Sequence, residues 1–189
     1  RKYGWPTHVR QAYRYFVGNG IPKLVERLAP ADQRTPAVLE AALADFKRDY
    51  GQHLRDTTAP YPGIPEMLAK LKTNGVQLAV FSNKADALAK EVVKDYFGTQ
   101  YFTIVRGQMT GVAPKPAAEG TNALLQALHA DPASTLYVGD SNVDVETAHN
   151  ANLPYCGAVW GFRTREELNA AGAEYLAENS DELYDVIMK

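Results

Sequence analysis

The chain has 189 residues, of which 46% are hydrophobic and 22% charged, and its formal net charge is −2. This length supports one α/β domain, or a core domain with a small accessory one, and the lack of a basic excess argues against a nucleic-acid partner. No apolar run approaches the roughly 18 residues of a membrane span, and the single cysteine, Cys156, fits a reducing, cytoplasmic compartment.

Residues 1–57 show helical patterns only. Apolar residues recur at helical spacing over 9–16 and 24–28. A third helix is marked by Thr35 as a candidate N-cap and by Pro36 in its first turn. We therefore expect residues 1–57 to form a small, all-helical domain.

From residue 58 to residue 189 the pattern alternates between strands and helices. Apolar runs predict strands at 76–81, 101–105, 135–138 and 155–160, with a short strand near Tyr175. Helical patterns cover 62–74, 86–96, 116–129, 144–150 and 165–171, and a last helix begins at Asp181. This alternation predicts an α/β core with a doubly wound parallel sheet.

Polar residues follow three successive predicted strands, at the carboxyl ends where such sheets bind ligands. Ser82 and Asn83 follow the first, where a hydroxyl and backbone N–H groups at a helix entrance suit a phosphate. Lys115 lies between two prolines, which restrict its backbone to an extended conformation, and its positive charge can neutralise a phosphoryl oxygen. Asp140 and Asp144 are one helical turn apart and can face one hard cation such as Mg²⁺.

Each of these signals also has a purely structural interpretation. Polar residues before a helix, such as Ser82 or the pair Asp140 and Ser141, are common N-caps, and a Lys-Pro pair in a loop is commonly only a turn. The ordered set is more specific than its parts, because a hydroxyl, an ammonium and two carboxylates along one sheet edge suit metal-assisted phosphoryl transfer. The set contains no nucleophile and no general base.

These motifs resemble those of the haloacid dehalogenase superfamily, and within it of the phosphoglycolate phosphatases. The second, third and fourth motifs of the family are similar to Phe81-Ser82-Asn83-Lys84, Lys115-Pro116 and Gly139-Asp140-Ser141-Asn142-Val143-Asp144. The resemblance implies a phosphatase with Mg²⁺ as cofactor. Its expected partner is a small phosphorylated metabolite, 2-phosphoglycolate first of all.

The resemblance also implies a role for each motif residue. Ser82 and the backbone of Asn83 would hold the phosphoryl oxygens, and Lys115 would balance the charge of nucleophile and phosphate. Asp140 would be a direct Mg²⁺ ligand. Asp144 would either bind the metal or orient its water.

Two softer matches point to the same subfamily. Residues 16–20, which include Gly18, Asn19 and Gly20, resemble the helical cap segment of the phosphoglycolate phosphatases. Those three residues would then meet the far end of the substrate. Trp160-Gly161-Phe162-Arg163 resembles the run that follows the next strand in that subfamily. The cap would cover residues 1–57, and both a monomer and a homodimer stay open.

The first motif of the family, an Asp-x-Asp-Gly-Thr segment after the first strand, has no counterpart in this sequence. Its first aspartate is the nucleophile of the family. The resemblance places that strand between the strands ending at Phe81 and Val138, so its absence would leave a gap of about 10 Å, two strand spacings. We therefore expect the natural protein to begin upstream of Arg1, with the nucleophile there. A separate peptide, or a strand of another chain, stays open as the source of the missing strand.

Two alternatives to this phosphatase stay open. The chain can be a catalytically inactive binding or regulatory domain, or a truncated fragment, that keeps the phosphate and metal site. It can also perform another reaction of the superfamily, as a phosphomutase or a phosphonate hydrolase. The last needs a cap lysine as Schiff-base nucleophile, and Lys23 is the only lysine near a cap turn. A dehalogenase fits less well, because Asp140 and Asp144 imply a metal.

Overall fold

The computed structural model describes residues 2–189. The chain divides into two compact units, Arg1–Ala59 and Pro60–Lys189. Within the described residues, no helix combines the length and the apolarity that crossing a lipid bilayer requires.

In the first unit, the regular elements of the described residues are all helical. Its helices are α1 (Arg10–Phe16), α2 (Ile21–Leu28) and α3 (Pro36–Gln52), with a 3-10 turn at Ala31–Gln33. Thr35 is the N-cap of α3, as predicted, because its side chain accepts a hydrogen bond from the backbone N–H of Val38. Helix α2 packs against α3 and buries Leu24 and Val25.

The second unit alternates strands and helices. Its strands are β1 (Leu78–Ala85), β2 (Phe102–Gln108), β3 (Tyr137–Gly139), β4 (Tyr155–Ala158) and β5 (Tyr175–Ala177). Its helices are α4 (Ile64–Thr73), α5 (Asp86–Phe97), α6 (Ala118–Leu128), α7 (Asn142–Asn150), α8 (Arg165–Ala170) and α9 (Ser180–Ile187), with a 3-10 turn at Pro132–Ser134. The predicted α/β class is confirmed.

All strand pairs are parallel, but the strands form two separate sheets. One sheet has the order β1-β2 and the other the order β3-β4-β5. In the part of the chain that the structure describes, β1 and β3 each pair along one edge only. Val138, in the middle of β3, is 38% exposed. The interruption thus lies between the two strands that were predicted to flank the first strand of the family.

Two apolar clusters hold the second unit together. One joins α6, α7 and α8 to the β3–β5 sheet around the fully buried Tyr155 and Leu168. The other joins α4 and α9 to both sheets, since Leu71 is buried in it beside partly buried Leu78 and Leu136. Because Leu78 belongs to β1 and Leu136 precedes β3, apolar packing connects the two sheets without a shared hydrogen-bond ladder.

One strand boundary differs from the prediction in a way that concerns the site. Strand β1 continues past residue 81, so Ser82 and Asn83 lie within the strand rather than at the entrance of α5, which begins at Asp86. The reason is pairing with β2, which persists to the pair Ala85 and Gln108 with an irregularity before it. Tertiary pairing here outweighs the polar composition of the segment.

Candidate active site

An ion pair between Lys115 and Asp144 lies at the centre of the site. Nζ of Lys115 donates a hydrogen bond to Oδ1 of Asp144 at 2.5 Å, and the two side chains are 11% and 9% exposed. Burial lowers the pKa of Lys115, but the Asp144 carboxylate and the neighbouring Tyr137 outweigh it, so the pKa is raised overall. Lys115 therefore supplies a fixed positive charge at neutral pH.

The backbone of Lys115 is held by the side chain of Asn83. Oδ1 of Asn83 accepts from the Lys115 N–H at 2.8 Å, and Nδ2 of Asn83 donates to the Lys115 carbonyl at 3.2 Å. Asn83 is 9% exposed. Its carboxamide is thus engaged with Lys115, which is compatible with the prediction that the backbone of Asn83, rather than its side chain, contacts phosphate.

Ser82 lies between two residues that contact Lys115. On one side is Asn83, and on the other is Phe81, whose ring centroid lies 5.9 Å from Nζ of Lys115. Oγ of Ser82 accepts a hydrogen bond from the backbone N–H of Lys84 at 3.1 Å. Since a hydroxyl can accept and donate at once, this bond leaves the Ser82 proton for another acceptor.

The second oxygen of Asp144 is bound by the start of its own helix. Oδ2 accepts from the Ser141 hydroxyl at 2.6 Å and from the Asp140 N–H at 3.3 Å. Ser141 is also the N-cap of α7, because its side chain accepts from the Asp144 N–H. The N-cap interpretation of this motif is therefore correct for Ser141, and both carboxylate oxygens of Asp144 have protein donors.

Asp140 follows β3 directly and is held by the loop after β4. Its Oδ2 accepts from the Phe162 N–H at 3.2 Å, and its carbonyl accepts from the Arg163 N–H at 3.1 Å. A Cβ on Gly161 would lie 2.2 Å from the Asp140 Cβ, so only glycine fits there. Burial, and after it the charge of Asp144, raises the pKa of Asp140.

Asp140 fits the role of a Mg²⁺ ligand better than Asp144 does. Its partly buried carboxylate is destabilised in the charged form, and a bound cation would relieve this. No group of three or more His, Cys, Asp or Glu side chains suited to a metal occurs between residues 2 and 189. Mg²⁺ is commonly bound by one or two carboxylates together with waters and substrate phosphate, so Asp140 can serve as the anchor of such a site.

The segment Gly18-Asn19-Gly20 connects α1 to α2 in the first unit. Gly18 and Gly20 have φ values of 117° and 84°, which disfavour larger residues. The guanidinium of Arg27 donates to the Phe16 carbonyl at 2.8 Å and to Oδ1 of Asn19 at 2.9 Å. We did not predict a role for Arg27 from the sequence. Its position in α2, two helical turns after Gly20, could have indicated a contact with the segment before the helix.

Comparison with known proteins identifies the family. The family model of the haloacid dehalogenase-like hydrolases matches residues 1–158. The chain belongs to the haloacid dehalogenase-like hydrolase family. The resemblance seen in the sequence motifs is thereby confirmed.

The relatives agree with this assignment. A phosphoglycolate phosphatase of Neisseria meningitidis serogroup A is 32% identical over 160 residues, covering 83% of this chain and 67% of the relative. Another, from Mesorhizobium japonicum, is 30% identical over 155 residues, covering 81% and 68%. This chain thus spans about two thirds of the length of these two relatives. The crystal structure of a Lactobacillus delbrueckii subsp. bulgaricus protein matches with a TM-score of 0.89 at 26% identity, covering 95% of this chain and 83% of that one.

Proposed function

We propose that this hydrolase is a Mg²⁺-dependent phosphatase of small phosphomonoesters, with 2-phosphoglycolate as the favoured substrate. The proposal depends mainly on the buried ion pair between Lys115 and Asp144. Lys115 is hydrogen-bonded to Asn83, the residue after Ser82, and Asp144 accepts a hydrogen bond from the backbone of Asp140. The substrate is supported by the relatives named phosphoglycolate phosphatase, at 30% and 32% identity.

The phosphoryl group is assigned to the space in front of Lys115. An ammonium has three N–H donors. Asp144 accepts from one of them and Tyr137 neighbours the group, which leaves an N–H for a phosphoryl oxygen. Ser82 would donate its hydroxyl proton to the same group. Asp140 would hold Mg²⁺, which, when bound, neutralises phosphoryl charge and orients the phosphorus for attack.

The nucleophile is assigned to a further strand between β1 and β3. Both strands have an edge without a partner among the residues described, and Val138 is exposed there. A parallel strand in this place would end next to Lys115. An aspartate at that end would attack phosphorus and displace the alcohol, and water would then hydrolyse the aspartyl-phosphate.

The helical unit supplies the proposed specificity. We assign Gly18, Asn19 and Gly20 to recognition of the end of the substrate opposite the phosphate. A phosphonate hydrolase has less support, because the ammonium of Lys23 lies 2.8 Å from both carboxylate oxygens of Glu26 in an exposed ion pair. A Schiff-base nucleophile must reach a carbonyl carbon, whereas this side chain is engaged with the carboxylate of Glu26.

The test is release of inorganic phosphate by the purified protein that contains the proposed strand. Substrates are 2-phosphoglycolate, 3-phosphoglycerate and p-nitrophenyl phosphate, each with Mg²⁺ and with a chelator. The proposal predicts the highest kcat/KM for 2-phosphoglycolate, loss with chelator and recovery with Mg²⁺. Release from none of the three refutes the phosphatase, whereas preference for another ester refutes only the substrate.

A further inference from the structure

A chain of hydrogen bonds runs from β1 in one sheet through Lys115 to α7, the helix that packs against β3 and β4 of the other sheet. It begins at Asn83 on β1, passes through the backbone and side chain of Lys115, and ends at Asp144 on α7. The β1–β2 sheet and the β3–β5 sheet share no ladder among residues 2–189. This polar connection therefore helps to set how far Ser82, beside Asn83, lies from Asp140.

The contact of Asn83 with Lys115 has two points and is buried. One carboxamide group binds both the N–H and the carbonyl of Lys115, so it fixes the orientation of that backbone as well as its position. With Asn83 only 9% exposed, water cannot easily replace either bond. Aspartate lacks the donor for the carbonyl, and alanine lacks both groups.

A lysine side chain is flexible, and here it is fixed at both ends. Asn83 holds the backbone, while Asp144 holds the ammonium. Nζ of Lys115 also lies 5.9 Å from the ring centroids of both Phe81 and Tyr137, within the range of a cation–π contact. Releasing the backbone end would let the ammonium shift relative to the phosphoryl group even with Asp144 intact.

We infer that Asn83 is a positioning residue: its carboxamide fixes the backbone of Lys115 and thereby places the ammonium against the phosphoryl group. This inference rests on the proposed function of Lys115. It assigns the Asn83 carboxamide to the backbone of Lys115 rather than to the phosphoryl group. The effect of Asn83 on phosphate binding then passes entirely through Lys115.

A double-mutant cycle tests this with inorganic phosphate as the probe. The dissociation constant for phosphate, with Mg²⁺ present, is measured by calorimetry for the wild type, Asn83→Ala, Lys115→Met and the double variant. We expect Asn83→Ala to weaken binding about 10-fold, the scale of one misaligned hydrogen bond. In the Lys115→Met background the same change should alter the constant less than about 2-fold. Additive effects would show that Asn83 binds phosphate directly and would overturn the inference.

Two further variants distinguish a specific effect on phosphate binding from misfolding of the protein. Asn83→Leu keeps the size and adds no charge but offers Lys115 neither donor nor acceptor, so it should fill the same space and still weaken phosphate binding. Asn122→Ala, at an exposed asparagine of α6, should bind phosphate as the wild type does. Wild-type affinity in Asn83→Leu, or no phosphate binding by the wild type, overturns the inference. Because binding is measured without turnover, a wild type that binds phosphate but hydrolyses nothing refutes the proposed function only.

Discussion

Replacing Lys115 by methionine removes the ammonium and keeps most of the side-chain length. Lys115 and Asp144 are only 11% and 9% exposed, so water screens their interaction little. Removing one partner of a buried ion pair costs about 3–5 kcal/mol, because the other charge stays buried. Oδ2 of Asp144 keeps its donors from Ser141 and Asp140, so we expect the lower end, about 3 kcal/mol.

The measurement is the free energy of unfolding from urea titrations, supported by thermal melts. For a protein of this size, about 3 kcal/mol corresponds to a decrease of about 6–12 °C in Tm. The double variant Lys115→Met with Asp144→Asn no longer buries an unpaired charge and should recover about 2 kcal/mol. Lys94→Met, at an exposed lysine of α5, is the matched control and should stay within about 0.5 kcal/mol of the wild type.

The pH dependence follows from the raised pKa of Lys115. Its ordinary value is 10.5, so the stabilising ion pair is fully present below that pH and is lost as the pH rises through the higher folded-state pKa. The deficit of Lys115→Met should therefore be constant from pH 7 to pH 10 and shrink above. A deficit under about 1 kcal/mol at pH 7, or no recovery in the double variant, would refute this reasoning.

Three other variants test the rest of the site. In metal-free buffer, Asp140→Asn should raise Tm at pH 7. Burial raises the pKa of Asp140, so its ionised form destabilises the folded state. The gain in Tm should vanish below pH 3.8, the ordinary pKa of this carboxyl, because the group is then protonated in both the folded and the unfolded state. Gly161→Ala should displace Asp140 and weaken Mg²⁺ binding, measured by calorimetry, about 10-fold. The control is Gly51→Ala, which has open space around the new methyl group and should bind Mg²⁺ as the wild type does. Arg27→Ala should raise KM for 2-phosphoglycolate about 5-fold with kcat nearly unchanged, since Asn19 loses its hydrogen bond from Arg27. An unchanged KM would show that the segment 18–20 does not contact the substrate.

The fold class and the end of the strand before Asp140 were predictable because they depend on local patterns. An apolar run followed by Gly139 and Asp140 predicts a strand that ends there, and the structure confirms a strand at Tyr137–Gly139. The N-cap at Thr35 was equally visible, since its signal lies within four residues.

The contacts within the site were not predictable from patterns. Asn83 and Lys115 are 32 residues apart, and nothing local shows that a carboxamide will hold a distant backbone. For Asp144, the sequence left a metal contact and an indirect role open, because it does not show which donors reach a carboxylate. In the structure Lys115 and Ser141 occupy both oxygens, which favours the indirect role.

The most direct test of the account is hydrolysis of 2-phosphoglycolate by Lys115→Met and Asp140→Asn beside two matched controls. The controls are Lys94→Met and Glu146→Gln, which change exposed residues of α5 and α7. All proteins carry the proposed strand and are assayed with Mg²⁺. The account predicts turnover in the wild type and both controls, and a loss of more than about 100-fold in the two site variants. Near-normal turnover in either site variant would contradict it.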